Sequence, residues 1–389
     1  MLARVYYSRV PVLRFAVEEI LYNLRTDPFF HYDDFDIALI TFSPNVYPTD
    51  ERVCQTFNEY FGPGRWLAFN SLTAFANDKT LRNALVVLFI KFERKGSFEI
   101  FSAQNLSENY GRILDETTNF LSHTKGSTLN ILFSTFSEGL IGFFIEDLSE
   151  RLSFGGNLIG GVASGPIIGN EKAVTHIYTS SGIIDDGFAI LRLKGVEYSF
   201  GIAFGYTIMG PIYTITRAEK NKILEINQKG VRPLIERLTK GLEDVDPRNF
   251  WYIPIVILDG KDEGLVSILR SFKGFPHDKS YIEFWGPIRE GWKFRFSFAM
   301  KENLLRASIE EALKVQKALG RIELGLNFSC VGRQYIMEDL HGEEAKNNAA
   351  IFNAPLFGFF TFGEIGPDRY YKKLKYYNQT SVVVGVREL

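Results

Sequence analysis

Cys330 and Glu364 are the residues of this sequence whose surroundings best suit chemistry. Cys330 stands near the end of an apolar stretch, and Arg333 follows it closely. A guanidinium beside a thiol lowers the thiol pKa, and strand ends are where α/β proteins place working groups, so Cys330 is a candidate nucleophile. Glu364 follows a nearly all-apolar stretch, where burial would raise its pKa and suit it to bind an ammonium group or act as a base. Each residue also has a purely structural explanation. Cys330 would be a buried core cysteine, and Glu364 would be a solvated turn residue.

The glycine-rich stretch NLIGGVASGPIIG, residues 157–169, is a second candidate site. It lacks the G-x-G-x-x-G alternation of a dinucleotide loop, and Pro166 stands where a P-loop has lysine. A G-x-S-x-G nucleophile elbow is also missing around Ser164. Two interpretations stay open: the glycines permit close packing at a strand end, or their exposed backbone N–H groups bind a carboxylate.

Composition and charge exclude several classes of partner. The chain has 389 residues, 46% of them apolar and 23% charged, and its net charge of −2 gives no field that would attract nucleic acid. The segment RYYKKLKYYN, residues 369–378, interleaves cations with tyrosines, and we expect it to form a surface loop or a lid over a pocket. Five scattered histidines without C-x-x-C or H-x-H spacing predict neither a metal site nor a cofactor.

The sequence also bears on location. Arg4, Arg9 and Arg14 interrupt the stretch where a secretory signal needs an apolar run, and later stretches of about 18 residues all contain charges. We therefore expect a soluble, cytoplasmic protein without a membrane segment, in which Cys54 and Cys330 are free thiols.

The candidate residues are positioned by a pattern that occurs three times: helix, strand, helix, strand, strand. The strands that carry it are 36–44, 65–72 and 84–91, then 129–135, 157–164 and 188–195, then 324–332, 356–366 and 380–389. The third unit opens with a helix at Leu305, Ile309, Ala312 and Leu313. Continuous apolar strands alternating with helices predict an α/β fold with α+β character, in which helices cover mixed sheets and a hairpin-like strand pair closes each unit.

Between the second and third units the chain changes character, with short strands around a polar, proline-containing segment at 241–249. We therefore predict two domains, 1–240 and 241–389. The first would contain two internal repeats, at about 1–100 and 105–230.

Several motifs in order resemble the FIST family over nearly the whole chain. The N-terminal domain of that family is similar to NLIGGVASG (157–165), DDGFAILRLKGVEYSFGIAFGY (185–206) and GPIYTITRAEKNKILEIN (210–227). Its C-terminal domain is similar to FSCVGRQYIM (328–337), PLFGFFTFGEIGP (355–367) and YYNQTSVVVGV (376–386). The resemblance implies a sensory or recognition module for small molecules such as amino acids. The resemblance also implies that family members are often fused to kinase, chemoreceptor or cyclic-nucleotide output domains, or follow an F-box, whereas we expect this protein to be a stand-alone form.

We therefore expect a small-metabolite sensor in signal transduction, with a pocket between or within the domains and a protein signalling partner. The predicted ligand-binding residues are Gly160, Gly161, Ala163, Ser164, Thr216, Arg217, Cys330, Arg333, Glu364, Gln379 and Thr380. An arginine would hold a carboxylate through two hydrogen bonds while Glu364 meets an amine, which favours an amino-acid-like ligand.

Two alternatives remain. The first is a cysteine-dependent enzyme with Cys330 as nucleophile and glycine or serine N–H groups at an oxyanion, although the sequence places no general base. The second is a protein-recognition scaffold.

Overall fold

The computed structural model describes residues 1–30, 34–94, 96–124, 126–153, 157–168, 172–241, 246–258, 266–368 and 373–389. Within these ranges the chain forms three similar units and one long insertion in the third unit. The first four positions of the tyrosine-rich segment, 369–372, and part of the predicted domain linker, 242–245, lie outside the described residues.

The first unit covers the N-terminal part of the chain. Its elements are β1 (Leu2–Ser8), α1 (Leu13–Thr26), β2 (Ile37–Phe42), α2 (Arg52–Phe61), β3 (Trp66–Asn70), β4 (Thr73–Ala76), β5 (Lys79–Arg82) and β6 (Leu85–Lys91). Every residue of β2 is buried, because sheet and helices cover both of its faces.

The second unit repeats this order. Its elements are β7 (Ser97–Gln104), α3 (Tyr110–Ser122), β8 (Thr128–Ser134), α4 (Leu140–Arg151), β9 (Leu158–Val162), β10 (Ile167–Ile168), β11 (Lys172–Ala173), β12 (Ile177–Thr179), β13 (Gly182–Ile184) and β14 (Gly187–Lys194), with a 3₁₀ turn at Ser137–Gly139. The glycine-rich stretch therefore begins as the strand β9.

The third unit is split by an insertion after its first strand, β15 (Val196–Ala203). The inserted elements are β16 (Tyr206–Glu219), β17 (Lys222–Ile226), β18 (Lys229–Gly230), α5 (Arg232–Leu238), the 3₁₀ turn Pro247–Tyr252, β19 (Ile255–Leu258), β20 (Val266–Arg270), β21 (Phe272–Gly274), β22 (Ile282–Phe284) and β23 (Lys293–Ala299). The unit then resumes with α6 (Lys301–Leu319), β24 (Leu324–Cys330), α7 (Val331–Met337), the 3₁₀ turn Glu338–Leu340, α8 (His341–Phe352), β25 (Leu356–Thr361), β26 (Glu364–Pro367), β27 (Leu374–Tyr377) and β28 (Ser381–Glu388).

Each unit builds a four-stranded sheet with the same strand order. These orders are β1-β6-β2-β3, β7-β14-β8-β9 and β15-β28-β24-β25. In each sheet the last two strands named are parallel, as a helical crossover requires, and the other pairs are antiparallel. The mixed α/β sheets predicted from the sequence are confirmed.

The three sheets are tied together by exchanged hairpins. The hairpin β4-β5 of the first unit pairs with β25 of the third, β26-β27 of the third pairs with β9 of the second, and β12-β13 of the second pairs with β3 of the first. The prediction that a hairpin-like strand pair closes each unit is therefore wrong. The chain leaves each sheet after its third strand, and the closing strand returns between the first and second strands.

The inner faces of the sheets share one core, while helices cover the outer faces. Phe69, Phe133 and Phe359, one from each sheet, meet at the centre, where the ring centroid of Phe69 lies 4.5 Å from that of Phe133 and 4.5 Å from that of Phe359. The helix α6 differs from its predicted apolar face, since Leu313 is 52% exposed and polar Ser308 is buried. The reason is that Ser308 accepts a hydrogen bond from buried Asn348 of α8.

Candidate functional site

Cys330 and Glu364 meet in the interior because of the strand pairing in the third unit. Cys330 ends β24 and lies opposite Thr361, the last residue of the parallel neighbour β25. The chain then turns into β26, which begins with Glu364. Glu364 is fully buried, Cys330 is 6% exposed, and the carboxyl group lies close enough to the thiol to raise its pKa.

The carboxyl group of Glu364 is held by hydrogen bonds on both oxygens. Oε1 accepts from Thr361 Oγ1, and Oε2 accepts from the backbone N and Oγ1 of Thr380 at 3.1 and 2.8 Å. Burial disfavours the charged form and raises the pKa of Glu364 to about 7, although these hydrogen bonds and the charge of Arg333 act in the opposite direction. Glu364 therefore gains and loses a proton near neutral pH.

The thiol of Cys330 is kept protonated. Burial and the negative charge of Glu364 raise its pKa far above the ordinary value. The prediction that Arg333 lowers this pKa is wrong, because the fully buried guanidinium serves other partners: it donates to Glu344 Oε1 at 3.1 Å and to two backbone carbonyls. Arg333 is thus a structural ion-pair residue of α7.

Gln379 links the third unit to the insertion. Its backbone φ is +62°, and its side chain is fully buried. Oε1 accepts from Tyr206 Oη at 2.8 Å, and Nε2 donates to Ser271 Oγ at 3.0 Å. A Cβ atom on Gly332 would lie 2.5 Å from Gln379 Nε2, so the first turn of α7 requires glycine there.

A pocket opens directly above this cluster. It is a narrow cleft, partly open to solvent, and its mostly apolar lining is typical of small-ligand sites. Aromatic side chains make much of the wall: Phe136 from the second unit, Trp251 and Trp285 from the insertion, and Phe362 from the third unit. Cys330 also lines it, so the sequence-predicted thiol faces the pocket.

The insertion is held over the pocket by Arg270. This side chain is fully buried and donates to Glu146 of α4 at 3.0 Å, to the backbone O of Tyr376 at 3.0 Å and to the backbone O of Pro287 at 2.8 Å. The tryptophan wall is therefore fixed to the second and third units at once.

Two polar atoms on residues that line the pocket have no hydrogen-bond partner among the described residues. They are the indole Nε1 of Trp285 and the amide Oδ1 of Asn378, both shielded from water. Buried polar groups are normally paired, so this donor and this acceptor are candidate hydrogen-bond partners for a ligand. Trp251, Trp285 and Asn378 were not among the predicted ligand-binding residues, although Asn378 lies in the FIST-like motif 376–386 and directly precedes the predicted pair Gln379 and Thr380.

Comparison with known proteins agrees with this architecture. Family models match the FIST N domain at residues 36–229 and the FIST C domain at residues 236–367. The chain belongs to the FIST family. An uncharacterized protein of Aquifex aeolicus is 30% identical over 266 residues, which is 66% of this chain and 94% of that protein. Uncharacterized proteins of Mycobacterium bovis and Mycobacterium tuberculosis are each 27% identical over 226 residues, 54% of this chain and 55% of theirs.

FIST domains are generally sensory domains in signal transduction. Within the described residues, the helices are all too short or too polar to span a membrane. The boundary between the matched FIST N and FIST C domains does not coincide with a boundary between sheets. The strand β15 and the hairpin β4-β5 belong to the N domain in sequence, but they are part of the sheet of the third unit. The domain boundary near residue 240 stays a prediction.

The glycine stretch of the FIST N domain serves packing. A Cβ on Gly160 would lie 1.9 Å from the backbone O of Leu132, and one on Gly161 would lie 2.6 Å from Thr361 Cγ2. The N–H groups of Ala163 and Ser164 donate to backbone carbonyls at 2.8 and 3.2 Å. The expected exposed N–H groups for a carboxylate are therefore engaged within the protein.

These four residues nevertheless lie beside the site. Gly161 pairs with Glu364 across the β9-β26 ladder, and Ser164 Oγ donates to the backbone O of Phe360 at 2.6 Å. They support the strand turn that carries Thr361 and Glu364 without contacting the pocket themselves.

Thr216 and Arg217 do not join the other predicted residues. They lie on β16 in the insertion, outside the pocket lining. Thr216 Oγ1 accepts from the backbone N of Gln228, and the exposed guanidinium of Arg217 pairs with Glu225 at 3.5 Å. Their placement at a ligand site is not supported by these contacts.

Proposed function

We propose that this FIST protein is a sensor that binds a small, mainly apolar molecule in the aromatic pocket above Cys330. One observation carries the proposal: an apolar pocket lined by two residues, Trp285 and Asn378, that carry a buried, unpaired donor and a buried, unpaired acceptor. Apolar pockets with a few convergent polar groups are the usual form of small-ligand sites. The sensory role of FIST domains gives such a pocket a purpose.

An amino acid with a free carboxylate suits the pocket less well than the sequence suggests. Arg333 is committed to Glu344, and Arg217 lies elsewhere on the surface. The carboxyl of Glu364 is a layer below the pocket lining and already accepts three hydrogen bonds from threonines. A zwitterion would lose its hydration there without gaining charged partners.

Cysteine catalysis has weaker support. A nucleophilic thiolate needs a lowered pKa or a base, whereas burial and Glu364 raise the pKa of Cys330. Transmission of the signal through a protein partner remains part of the proposal, since a sensory domain needs an output.

The test is a thermal-shift screen of a metabolite library against three forms of the protein. Ala173 lines the pocket, whereas Ala350 is exposed on α8. In Ala173→Trp the new indole fills the pocket, and Ala350→Trp adds the same bulk outside it. A ligand should raise the melting temperature of the wild type and of Ala350→Trp but not of Ala173→Trp.

Two outcomes contradict the proposal. The first is a library in which no compound stabilises the wild type. The second is stabilisation that persists unchanged in Ala173→Trp.

A further inference from the structure

We propose that the ligand is a neutral, flat molecule carrying both an N–H donor and a carbonyl acceptor, as in a lactam or an aromatic carboxamide. This inference rests on the proposed sensor function and narrows the class of ligand for the same pocket. It is carried by the two unpaired wall atoms, by the aromatic lining and by the arrangement of charge around the pocket.

The acceptor is the amide oxygen of Asn378. The residue is 1% exposed and lies in the turn between β27 and β28. Its Oδ1 has no hydrogen-bond donor among the described residues. A ligand N–H would donate a hydrogen bond to this unpaired oxygen.

The donor is the indole N–H of Trp285. The two tryptophans of the wall differ in this respect, because Trp251 Nε1 donates to the backbone O of Phe272 at 3.0 Å and Trp285 Nε1 has no acceptor. The Trp285 ring is fixed by an edge contact with Phe136, at a centroid distance of 5.6 Å and an interplanar angle of 68°. Because the N–H is already removed from water, a ligand carbonyl gains the bond without paying for its desolvation.

The surroundings favour a neutral and flat ligand. Among the described residues, those that line the pocket include no charged side chain. Of the charged groups nearby, Arg333 is paired with Glu344, Arg270 with Glu146, and Lys273 with Glu283 at 3.0 Å. The carboxyl of Glu364, beneath the lining, is held by hydrogen bonds from Thr361 and Thr380. Trp251, Trp285, Phe136 and Phe362 offer faces and edges against which a planar ring packs well.

The experiment compares five small probes by dissociation constant, measured from intrinsic tryptophan fluorescence and repeated by calorimetry. Oxindole has the N–H and the carbonyl on a flat bicycle. The lactone 2-coumaranone lacks the N–H, and indoline lacks the carbonyl. Phenylacetate and phenethylammonium carry a negative and a positive charge. We expect oxindole to bind at least about tenfold more tightly than each of the other four, since each lost hydrogen bond leaves a buried partner unpaired.

Variants assign the preference to the two atoms. Trp285→Phe should make oxindole and indoline bind alike while the preference for oxindole over the lactone is retained. Asn378→Leu should make oxindole and the lactone bind alike, while the preference for oxindole over indoline is retained. Trp292→Phe, at a tryptophan outside the pocket lining, should bind like the wild type. Because Asn378 is buried, Asn378→Ser serves as a smaller substitution if the leucine variant unfolds.

The outcomes separate the two proposals. Any order in which oxindole is not the tightest binder overturns the inference, while binding of another probe in the pocket leaves the sensor proposal intact. The inference is also overturned if Trp285→Phe still prefers oxindole over indoline and Asn378→Ser still prefers oxindole over the lactone. If neither these probes nor the metabolite library stabilise the wild type, both proposals fail.

Discussion

The buried carboxyl of Glu364 should make the stability of the protein fall as the pH rises. Its pKa is raised from an ordinary value of 4.5 to about 7 by burial. Below pH 4.5 the group is protonated in both the folded and the unfolded chain, so it imposes no cost. Between pH 4.5 and 7 the unfolded chain releases the proton first, and this release favours unfolding. Above pH 7 the full cost is present, about 3 kcal/mol at about 1.4 kcal/mol per tenfold change in proton affinity.

The variant Glu364→Gln removes the titration while keeping a carbonyl acceptor for Thr380 and an N–H donor. We expect the free energy of unfolding of the variant minus that of the wild type to increase by about 3 kcal/mol between pH 4.5 and pH 8. Urea unfolding curves across this range measure the difference. Glu225→Gln is the matched control, because Glu225 pairs with Arg217 at the surface.

The groups that face Glu364 belong to several elements. They are Cys330 of β24, Arg333 of α7, Tyr206 of β16 and Tyr376 of β27. Burial raises the pKa of the thiol and of both phenols, so the change between pH 4.5 and 8 belongs to Glu364. A difference between variant and wild type that is constant over that range would refute the reasoning.

Three further predictions follow from other contacts. Gly161→Ala should lower the free energy of unfolding by about 1–3 kcal/mol through overpacking against Thr361, whereas Gly342→Ala, with open space around it, should not; urea unfolding distinguishes them. Burial raises the pKa of Glu388, but its hydrogen bonds outweigh burial and lower the pKa to about 2. The ionised carboxylate therefore stabilises the folded protein above pH 4.5, and this stabilisation should vanish as the pH falls towards 2. If the wild type is more stable than Glu388→Gln at pH 7 and remains so by the same amount at pH 2, the prediction is contradicted. Cys330 in the folded protein should react with iodoacetamide at pH 8 far more slowly than in urea, as measured by mass spectrometry; equal rates would show an exposed thiolate.

The local elements were predictable because they depend on neighbours in sequence. The helical face of α1 and the fully buried run of β2 follow from apolar periodicity and continuity, which the chain repeats in each unit. The leading strand β7 was missed, since its mostly half-exposed residues do not form a continuous apolar run. The buried face of α6 was predicted at the wrong positions, because it includes Ser308, which is hydrogen-bonded to buried Asn348 of α8. A buried polar residue does not contribute to the apolar periodicity from which the face was predicted.

The site was predictable only in part. The neighbourhood of Cys330, Glu364, Gln379 and Thr380 was found, because these residues stand at strand ends of one unit. The role of Arg333 was not, since a short separation along the chain does not say which carboxylate a guanidinium meets. Its partner Glu344 comes from α8, the next helix.

The sequence by itself determined the three units, the mixed α/β sheets and the FIST membership, because periodicity and motifs are properties of short stretches. Only the tertiary structure decided which residues share a pocket. Phe136, Trp285 and Cys330 belong to the second unit, the insertion and the third unit. They meet because the hairpin β26-β27 crosses to the sheet of the second unit and Arg270 fixes the insertion above both. Hydrogen bonding between strands remote in sequence produces that arrangement, and the pattern of any one segment does not encode it.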